Sequence, residues 1–376
     1  MEYIQYCFYL SLTYYSIIIL FFRYSLFNIS NHKISNNNTV SIIIAVKNGS
    51  QSLDRLLKSL IQQTYSGKME FIIVDDHSSD NSIEIIKKYK KNNDKIVITQ
   101  SNHGNENLSH KKKALDAGIK IAKGDVLLFS DVDCILPKNW VNDIMLKFNK
   151  NINYVVGYSE VQTSSNLVTL FQRFDFFMLM NATHASINRN WYWACSGQNQ
   201  AYKKSVFNQN NGFNEIAKCL QGDDTLFFQM SNKNIKQFKA VFSFNKKNKI
   251  FSRKEKKLSS FLKQRIRWSG DAIKTWRFNK YFFLMSICTF ITNFVLFLNL
   301  FLFIFKFISL NQFFIPLIIK SIIEYSLALK GTKIHSFKYS IFEFIFWFLL
   351  QPPYIITIGI GSFFQDHISW KGIKNR

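Results

Sequence analysis

Long apolar runs at both ends constrain this chain more than any other feature. Residues 3–22 are almost continuously apolar and are followed by Arg23, and residues 282–305 form a second such run that stops at Lys306. About 20 apolar residues span the hydrocarbon core of a bilayer as a helix. A cleaved signal peptide carries basic residues before its apolar run and small residues after it. Here Glu2 precedes the first run and Arg23 and Lys33 follow it, the pattern of an uncleaved anchor with its C-terminal side in the cytosol. A third span over 313–329 is interrupted by Lys320 and Glu324, which sit four residues apart and can pair on one helix face. Three lysines over 330–338 predict a cytosolic loop there. Residues 341–364 are apolar but broken by Gln351-Pro352-Pro353, which is compatible with one kinked span or with a re-entrant hairpin. The basic tail at 367–376 is expected on the cytosolic side and favours the hairpin.

The middle of the chain has the composition of a soluble domain. The net charge of +24, from 48 Lys and Arg against 24 Asp and Glu, would first suggest a nucleic-acid partner. Much of the excess is lysine in a chain also rich in Asn, Ile and Phe, as an AT-rich coding sequence produces. The remainder suits a protein that lies against anionic lipid and handles a diphosphate, with no nucleic acid involved. The five cysteines form no CxxC pair and no zinc-like spacing with histidine, so free thiols are expected.

Residues 40–160 alternate strand-like and helical segments. VSIIIAV at 40–46 has the character of a buried strand, and Leu53, Leu56, Leu57, Leu60 and Ile61 follow at helical spacing. A second strand covers 70–74, with Asp80 placed to cap the helix after it. A third strand covers 95–100, a helix 109–122, and a fourth strand, DVLLFS, runs straight into Asp131. Such alternation implies an α/β fold with a mostly parallel sheet flanked by helices. Ligands in these sheets gather at the C-terminal ends of the strands. Three polar clusters fall there and should share one crevice: Lys47-Asn48, Asp75-Asp76 and Asp131-Val132-Asp133.

These clusters, with SGQNQAYKKSVF (196–207), NGFNEI (211–216), GDDTLFF (222–228) and QRIRW (264–268), carry a family signature in order along the chain. The protein resembles the inverting family 2 glycosyltransferases, whose catalytic domain has the GT-A fold. The resemblance covers residues 40–268. It implies transfer from a nucleotide-diphosphate sugar, a UDP-sugar first, with Mg²⁺ or Mn²⁺. It assigns Asp133 to the metal, Asp131 to the metal shell or the donor ribose, and Asp76 to the nucleotide base. Asn48 and Lys111 fall at donor-contacting positions, although Gly49 stands where the family usually has Glu, and any one of Lys111–Lys113 can equally be a solvated helix face. Asp224 matches the general base, with Asp223 beside it to orient it or raise its pKa; the same Gly-Asp-Asp can cap a helix starting near Thr225. Gln264 and Arg267 would support the diphosphate, and Trp268 the acceptor. Gln264, Arg267 and Trp268 share one helical face, which is also the pattern of an amphipathic helix on a membrane surface. Phe171, Phe174, Phe177 and Met178 recur at helical spacing as a core face does, His184 has a structural setting, and Trp191 and Trp193 are open to a carbohydrate-stacking role.

The expected organisation is an anchor (1–29), a GT-A catalytic domain (38–256), an interfacial helix (257–280), a C-terminal transmembrane region (281–366) and the basic tail (367–376). The expected protein is an integral cell-membrane enzyme with a cytosolic catalytic domain. Its acceptor would be lipid-linked or a cell-surface glycan. A processive synthase of the poly-N-acetylglucosamine kind is the nearest alternative, and a non-catalytic basic membrane adaptor the alternative of another class. A sugar nucleotidyltransferase would need a glycine-rich loop after the first strand, and AVKNGSQ has a single glycine.

Overall fold

A computed structural model describes residues 2–28 and 38–364 of the protein. The chain opens with α1 (Glu2–Ser25) and then alternates: β1 (Val40–Val46), α2 (Ser50–Ile61), β2 (Met69–Asp75), α3 (Ser82–Lys91), β3 (Ile96–Gln100), α4 (His110–Ile121). Next come β4 (Val126–Phe129), α5 (Trp140–Met145), β5 (Tyr154–Gly157), β6 (Ser159–Val161) and the long α6 (Leu167–Asn188). They are followed by β7 (Gln200–Lys203), α7 (Lys204–Gln209), α8 (Thr225–Asn234), β8 (Ala240–Ser243) and β9 (Ile250–Ser252). Four helices close the described chain: α9 (Leu258–Ser269), α10 (Lys280–Ile304), α11 (Leu310–His335) and α12 (Ile341–Ser362). The linker around Lys33 and the basic tail lie outside the described residues.

Two compact units emerge. One comprises Asn28–Gln162 and Asn190–Arg253; the other comprises Met1–Phe27, Thr163–Arg189 and Lys254–Arg376. The first is the α/β unit, a seven-stranded sheet in the order β3-β2-β1-β4-β7-β5-β8. β3, β2, β1 and β4 are mutually parallel, as the βα alternation predicts. β7 runs antiparallel to both β4 and β5, and β6 and β9 pair as a separate two-stranded ribbon. In β1, Val40, Ile42, Ile44 and Val46 point to one face and join Leu53, Leu56, Leu57 and Leu60 of α2 and Trp140 of α5 in the main core. The other face of β1 and β2 receives α4 at Gly118. A Cβ there would stand 2.7 Å from Ile43 Cγ2 and 2.9 Å from Val74 Cγ2, so only glycine lets the helix approach this closely.

In the second unit, four helices are long and apolar enough to cross a membrane: Tyr3–Ser25, Lys280–Ile304, Leu310–His335 and Ile341–Ser362. Phe8 and Leu12 of α1 pack with Val295 and Leu296 of α10. Lys320 and Glu324 are both buried and pair at 2.8 Å, so the charges that interrupt the third span satisfy one another. The Tyr15 hydroxyl donates to Glu324, and Lys320 to Gln351 of α12, which ties three helices together. Two expectations are corrected here. α12 is one continuous helix through Pro352-Pro353, not a hairpin; Gln351, just before the prolines, is buried against Lys320 of α11, while both prolines are half-buried. α11 continues to His335, so Lys330 and Lys333 belong to a helix rather than a loop.

The partition also departs from a contiguous catalytic domain over 38–256, because α6 belongs to the helical unit. Phe177 stacks on Phe337 at 4.0 Å, Arg173 pairs with Glu343 at 2.7 Å, and His184 shares a hydrogen bond of 2.9 Å with His335. The phenylalanine stripe and His184 thus pack inside that unit.

The α4–sheet contact yields a stability prediction. Gly118→Val should destabilise the protein by about 1–3 kcal/mol, the usual cost of overpacking against stiff β-branched neighbours. The check is the melting temperature of the detergent-solubilised chain, with Gly118→Ala falling between the two; an unchanged midpoint would contradict the packing.

Candidate active site

The parallel order β2-β1-β4 puts the residues after Val46, Asp75 and Phe129 at one edge of the sheet. The antiparallel β7 adds something the βα alternation does not predict. Its first residue, Gln200, pairs with Phe129, so the loop leading into β7 ends at this same edge. That loop carries Gly197.

Lys111, in the first turn of α4, is the hub of the edge. Its Nζ lies 2.9 Å from Asp131 Oδ1 and 3.0 Å from Asp223 Oδ2. A Cβ built on Gly197 would stand 3.2 Å from Lys111 Nζ, 3.3 Å from Asp224 Oδ2 and 3.6 Å from Asp223 Oδ2. Two carboxylates from distant loops, Asp131 and Asp223, therefore meet one ammonium beside a residue with no side chain, and Asp224 faces the same point.

Asp224 serves two purposes. Its Oδ1 accepts from Thr225 N at 2.5 Å and caps α8, as a structural Gly-Asp-Asp would. Its Oδ2 accepts from Gly197 N at 3.1 Å and faces the cluster. Burial, then repulsion from Asp223, push its pKa up to about 6, while Lys111 and the two backbone N–H groups pull back. Asp223 goes the other way. Burial opposes its charge, yet Lys111 and Lys112 hold its carboxyl below the ordinary value. Burial alone would pull Lys111 down, but Asp131, Asp223 and Asp224 hold it well above the usual lysine range. At neutral pH this gives a fixed ion pair, Lys111 with Asp223, next to a carboxylate that can take a proton.

Lys112 is not a solvated helix residue. It is buried, and its Nζ donates to the backbone carbonyls of Cys219 and Gln221, the latter at 2.9 Å. The lysine run therefore splits by role: Lys111 enters the cluster, and Lys112 pins the loop that delivers Gly222-Asp223-Asp224.

In Asp131-Val132-Asp133, Val132 is buried and both acids are half-exposed, so the two carboxylates flank an inward valine. Val132 packs on Gly49, where a Cβ would meet Val132 Cγ2 at 2.8 Å. This close contact explains why no larger residue stands at 49. Asn48 adopts a left-handed conformation (φ 49°), and its Oδ1 accepts from Ser79 N at 2.8 Å, bracing the loop after β2. In that loop Asp76 is paired with Lys47 at 3.6 Å. Asp80 is placed just before α3 and links two helix starts, accepting from Ser50 N at 3.0 Å and Ser82 N at 3.1 Å. These bonds outweigh burial and bring its pKa to about 2.

Asp76, Lys111, Asp131, Asp133, Asp223 and Asp224 thus all lie at the C-terminal edge of the sheet in the α/β unit. Gln264, Arg267 and Trp268 lie on α9 of the helical unit. A cavity of about 500 Å³ lined by Lys123, Asp125, Lys203 and Lys204 opens at the opposite end of β4 and takes no part in the cluster. Among the described residues, no group of three or more His, Cys, Asp or Glu side chains forms a closed metal cage. Gly197 is the site residue that sequence reasoning did not single out, since its place depends on the antiparallel course of β7.

Residues 41–210 match the family model described as Glycosyl transferase family 2. Among curated proteins, the chain is 28% identical over 167 residues to a poly-beta-1,6-N-acetyl-D-glucosamine synthase of Staphylococcus aureus (strain COL), covering 44% of this chain and 39% of that protein. A protein of the same name from Staphylococcus epidermidis is 29% identical over 150 residues, 39% of this chain and 35% of its own length. The aligned region thus spans about two fifths of these relatives. Among solved structures, a mannosyltransferase from Pyrobaculum calidifontis in complex with GDP-Man and Mn²⁺ superposes with a TM-score of 0.62 at 12% identity, over 96% of this chain and 97% of its own. That likeness establishes the GT-A type of fold. The likeness to family 2 glycosyltransferases is therefore carried by residues 41–210.

The buried lysine provides a local test. Lys112→Met should leave the Cys219 and Gln221 carbonyls without their donor and raise amide exchange across 219–223 by roughly 10-fold or more. Hydrogen-exchange mass spectrometry would report it, and unchanged protection would show that Lys112 does not hold the loop.

Proposed function

We propose that the protein, with its family 2 glycosyltransferase domain, is an inverting enzyme that moves a hexosyl unit from a UDP-sugar to a glycan or lipid-linked acceptor. The observation that carries this reading is the cluster of Asp131, Asp223 and Asp224 around Lys111, in which neighbouring carboxylates are pushed to opposite protonation behaviour. A non-catalytic adaptor would have no need to hold three carboxylates around one ammonium. Four long apolar helices support a place in the cell membrane, with the catalytic unit on the cytosolic side where nucleotide sugars are found.

In the proposed reaction, Asp224 Oδ2 takes the proton of an acceptor hydroxyl. The acceptor oxygen forms a bond to the anomeric carbon from the face opposite the diphosphate. The bond from that carbon to the diphosphate oxygen breaks, and the nucleoside diphosphate leaves with the electron pair, inverting the configuration. Asp223 keeps Lys111 in place, and Lys111 adds positive charge beside the departing diphosphate. Asp76 is assigned to the nucleotide base and Asn48 to the loop that flanks it. Gln264 and Arg267 are assigned to the donor and Trp268 to the acceptor on the strength of the Q-x-x-R-W motif.

A divalent cation fits the acids that are present. Asp131 and Asp133 supply two carboxylates from one loop, and Mg²⁺ or Mn²⁺ typically takes one or two protein carboxylates and completes its shell with substrate phosphates and water. When bound, such an ion would neutralise charge on the diphosphate.

The names of the Staphylococcus relatives favour UDP-N-acetylglucosamine as the first donor to try, and growth of an N-acetylglucosamine polymer as the second reading of the acceptor. With labelled donor and membranes, a ladder of products supports polymerisation and a single adduct supports single transfer.

The base assignment makes a pH prediction. Asp224 acts when deprotonated, so kcat/KM should climb with pH and level off above about 6. Asp223→Asn removes the like charge that raises Asp224 and should move this limb to lower pH. Asp224→Asn should lower kcat by about 10²–10⁴-fold while UDP binding, read by calorimetry, stays near wild type. Turnover that survives in Asp224→Asn would contradict the assignment.

A further inference from the structure

The Q-x-x-R-W segment contains a residue its pattern leaves unspecified. Arg265 occupies the first x position and is buried in the helical unit, 3% exposed, while Trp268 on the same helix is 38% exposed. Arg265 Nη2 stands 3.2 Å from Asp175 Oδ2 of α6. The same carboxylate accepts from Trp347 Nε1 at 3.4 Å and from the Tyr354 hydroxyl at 3.2 Å, both on α12. The guanidinium carbon lies 4.3 Å over the Trp268 ring and 5.2 Å over that of Phe261. Two more α6 residues meet the segment. Gln172 Nε2 donates to Gln264 Oε1 at 3.4 Å, and the Phe176 ring lies 6.4 Å from that of Trp268. Gln172, Asp175 and Phe176 have the i, i+3, i+4 spacing of one helix face, matched to Gln264, Arg265 and Trp268.

Stability alone explains this pair poorly. Burying an arginine and an aspartate costs several kcal/mol per ion in desolvation, and apolar residues of similar volume are often as stable or more so. What the pair gives is geometry. The guanidinium, drawn to the Asp175 carboxylate through Nη2 alone, lays its planar face on the indole, a stacking that lysine cannot reproduce.

We infer that Arg265 and Asp175 are positioning residues that set the indole of Trp268, and that α6 is the cradle that aligns the Q-x-x-R-W helix. One face of Trp268 rests on Arg265, and its exposed part is left for the C–H surface of an acceptor sugar. The acceptor role of Trp268 is the part of the proposed function on which this rests.

The test uses the full chain in detergent. In protein labelled with 5-fluorotryptophan, the Trp268 resonance is identified among the seven tryptophans by its loss in Trp268→Phe. Asp175→Asn and Arg265→Lys should each move that resonance; Arg265→Lys keeps the charge and serves if Asp175→Asn does not fold. An unmoved Trp268 signal overturns the inference, and this arm needs no acceptor. Kinetics with UDP-N-acetylglucosamine and a β-1,6-linked N-acetylglucosamine pentasaccharide form the second arm. Each variant should lower acceptor kcat/KM roughly 10-fold while donor KM stays within about twofold, a split that general loosening of the fold would not produce. In a Trp268→Ala background, Asp175→Asn should add no further loss; full additivity would overturn the inference while leaving the acceptor role of Trp268 intact. If Trp268→Ala alone leaves acceptor kcat/KM unchanged, the acceptor assignment falls and the inference falls with it.

Discussion

The candidate site depends on one ammonium group. Asp131, Asp223 and Asp224 come from two separate loops, and without a cation their charges would repel and hold the loops apart. Lys111 lies within 3.0 Å of Asp131 and Asp223 and close to Asp224. The result is an asymmetry of environment: Asp223 is committed to its ion pair, whereas Asp224, short of compensating charge, stays near its titration point at about 6. Two adjacent aspartates thereby acquire different capacities from their surroundings alone.

The rest of the α/β unit makes that arrangement possible. Gly118 lets α4 lie close on β1 and β2, which carries Lys111 to the edge of the sheet. Antiparallel β7 starts where β4 ends and brings Gly197 into the cluster, where any side chain would press on Lys111 and Asp224. Lys112 fastens the loop before Asp223 from beneath. Gly49 yields to Val132, and this keeps the loop after β1 against the two acids at 131 and 133. Gly118 and Gly49 are small because apolar side chains press on their backbones, and Gly197 because the charged cluster does.

Much of this was legible in the sequence because its causes are local. Buried β-branched runs followed by helical periods give β1 to β4, and acids at the ends of those strands mark the edge they share. The features that escaped depend on contacts between distant segments. Nothing in QAYK reveals a reversed strand direction, so Gly197 could not be placed. Three consecutive lysines look alike until α4 docks and buries one of them. The phenylalanines of α6 announce a buried face but not that it packs against Phe337 in the helical unit. Pro352-Pro353 predicts a break, yet α12 continues through it, with Gln351 held by Lys320 of α11, a contact no local pattern reveals.

The proposed role of Asp224 as the one base requires a single displacement and therefore one inversion. The direct measurement is the anomeric configuration of the first product formed from an α-linked UDP-sugar, read from the one-bond carbon–hydrogen coupling of a ¹³C-labelled residue by NMR. The account predicts a β linkage. An α linkage would mean net retention, and Asp224 could not then be the base of a single in-line displacement.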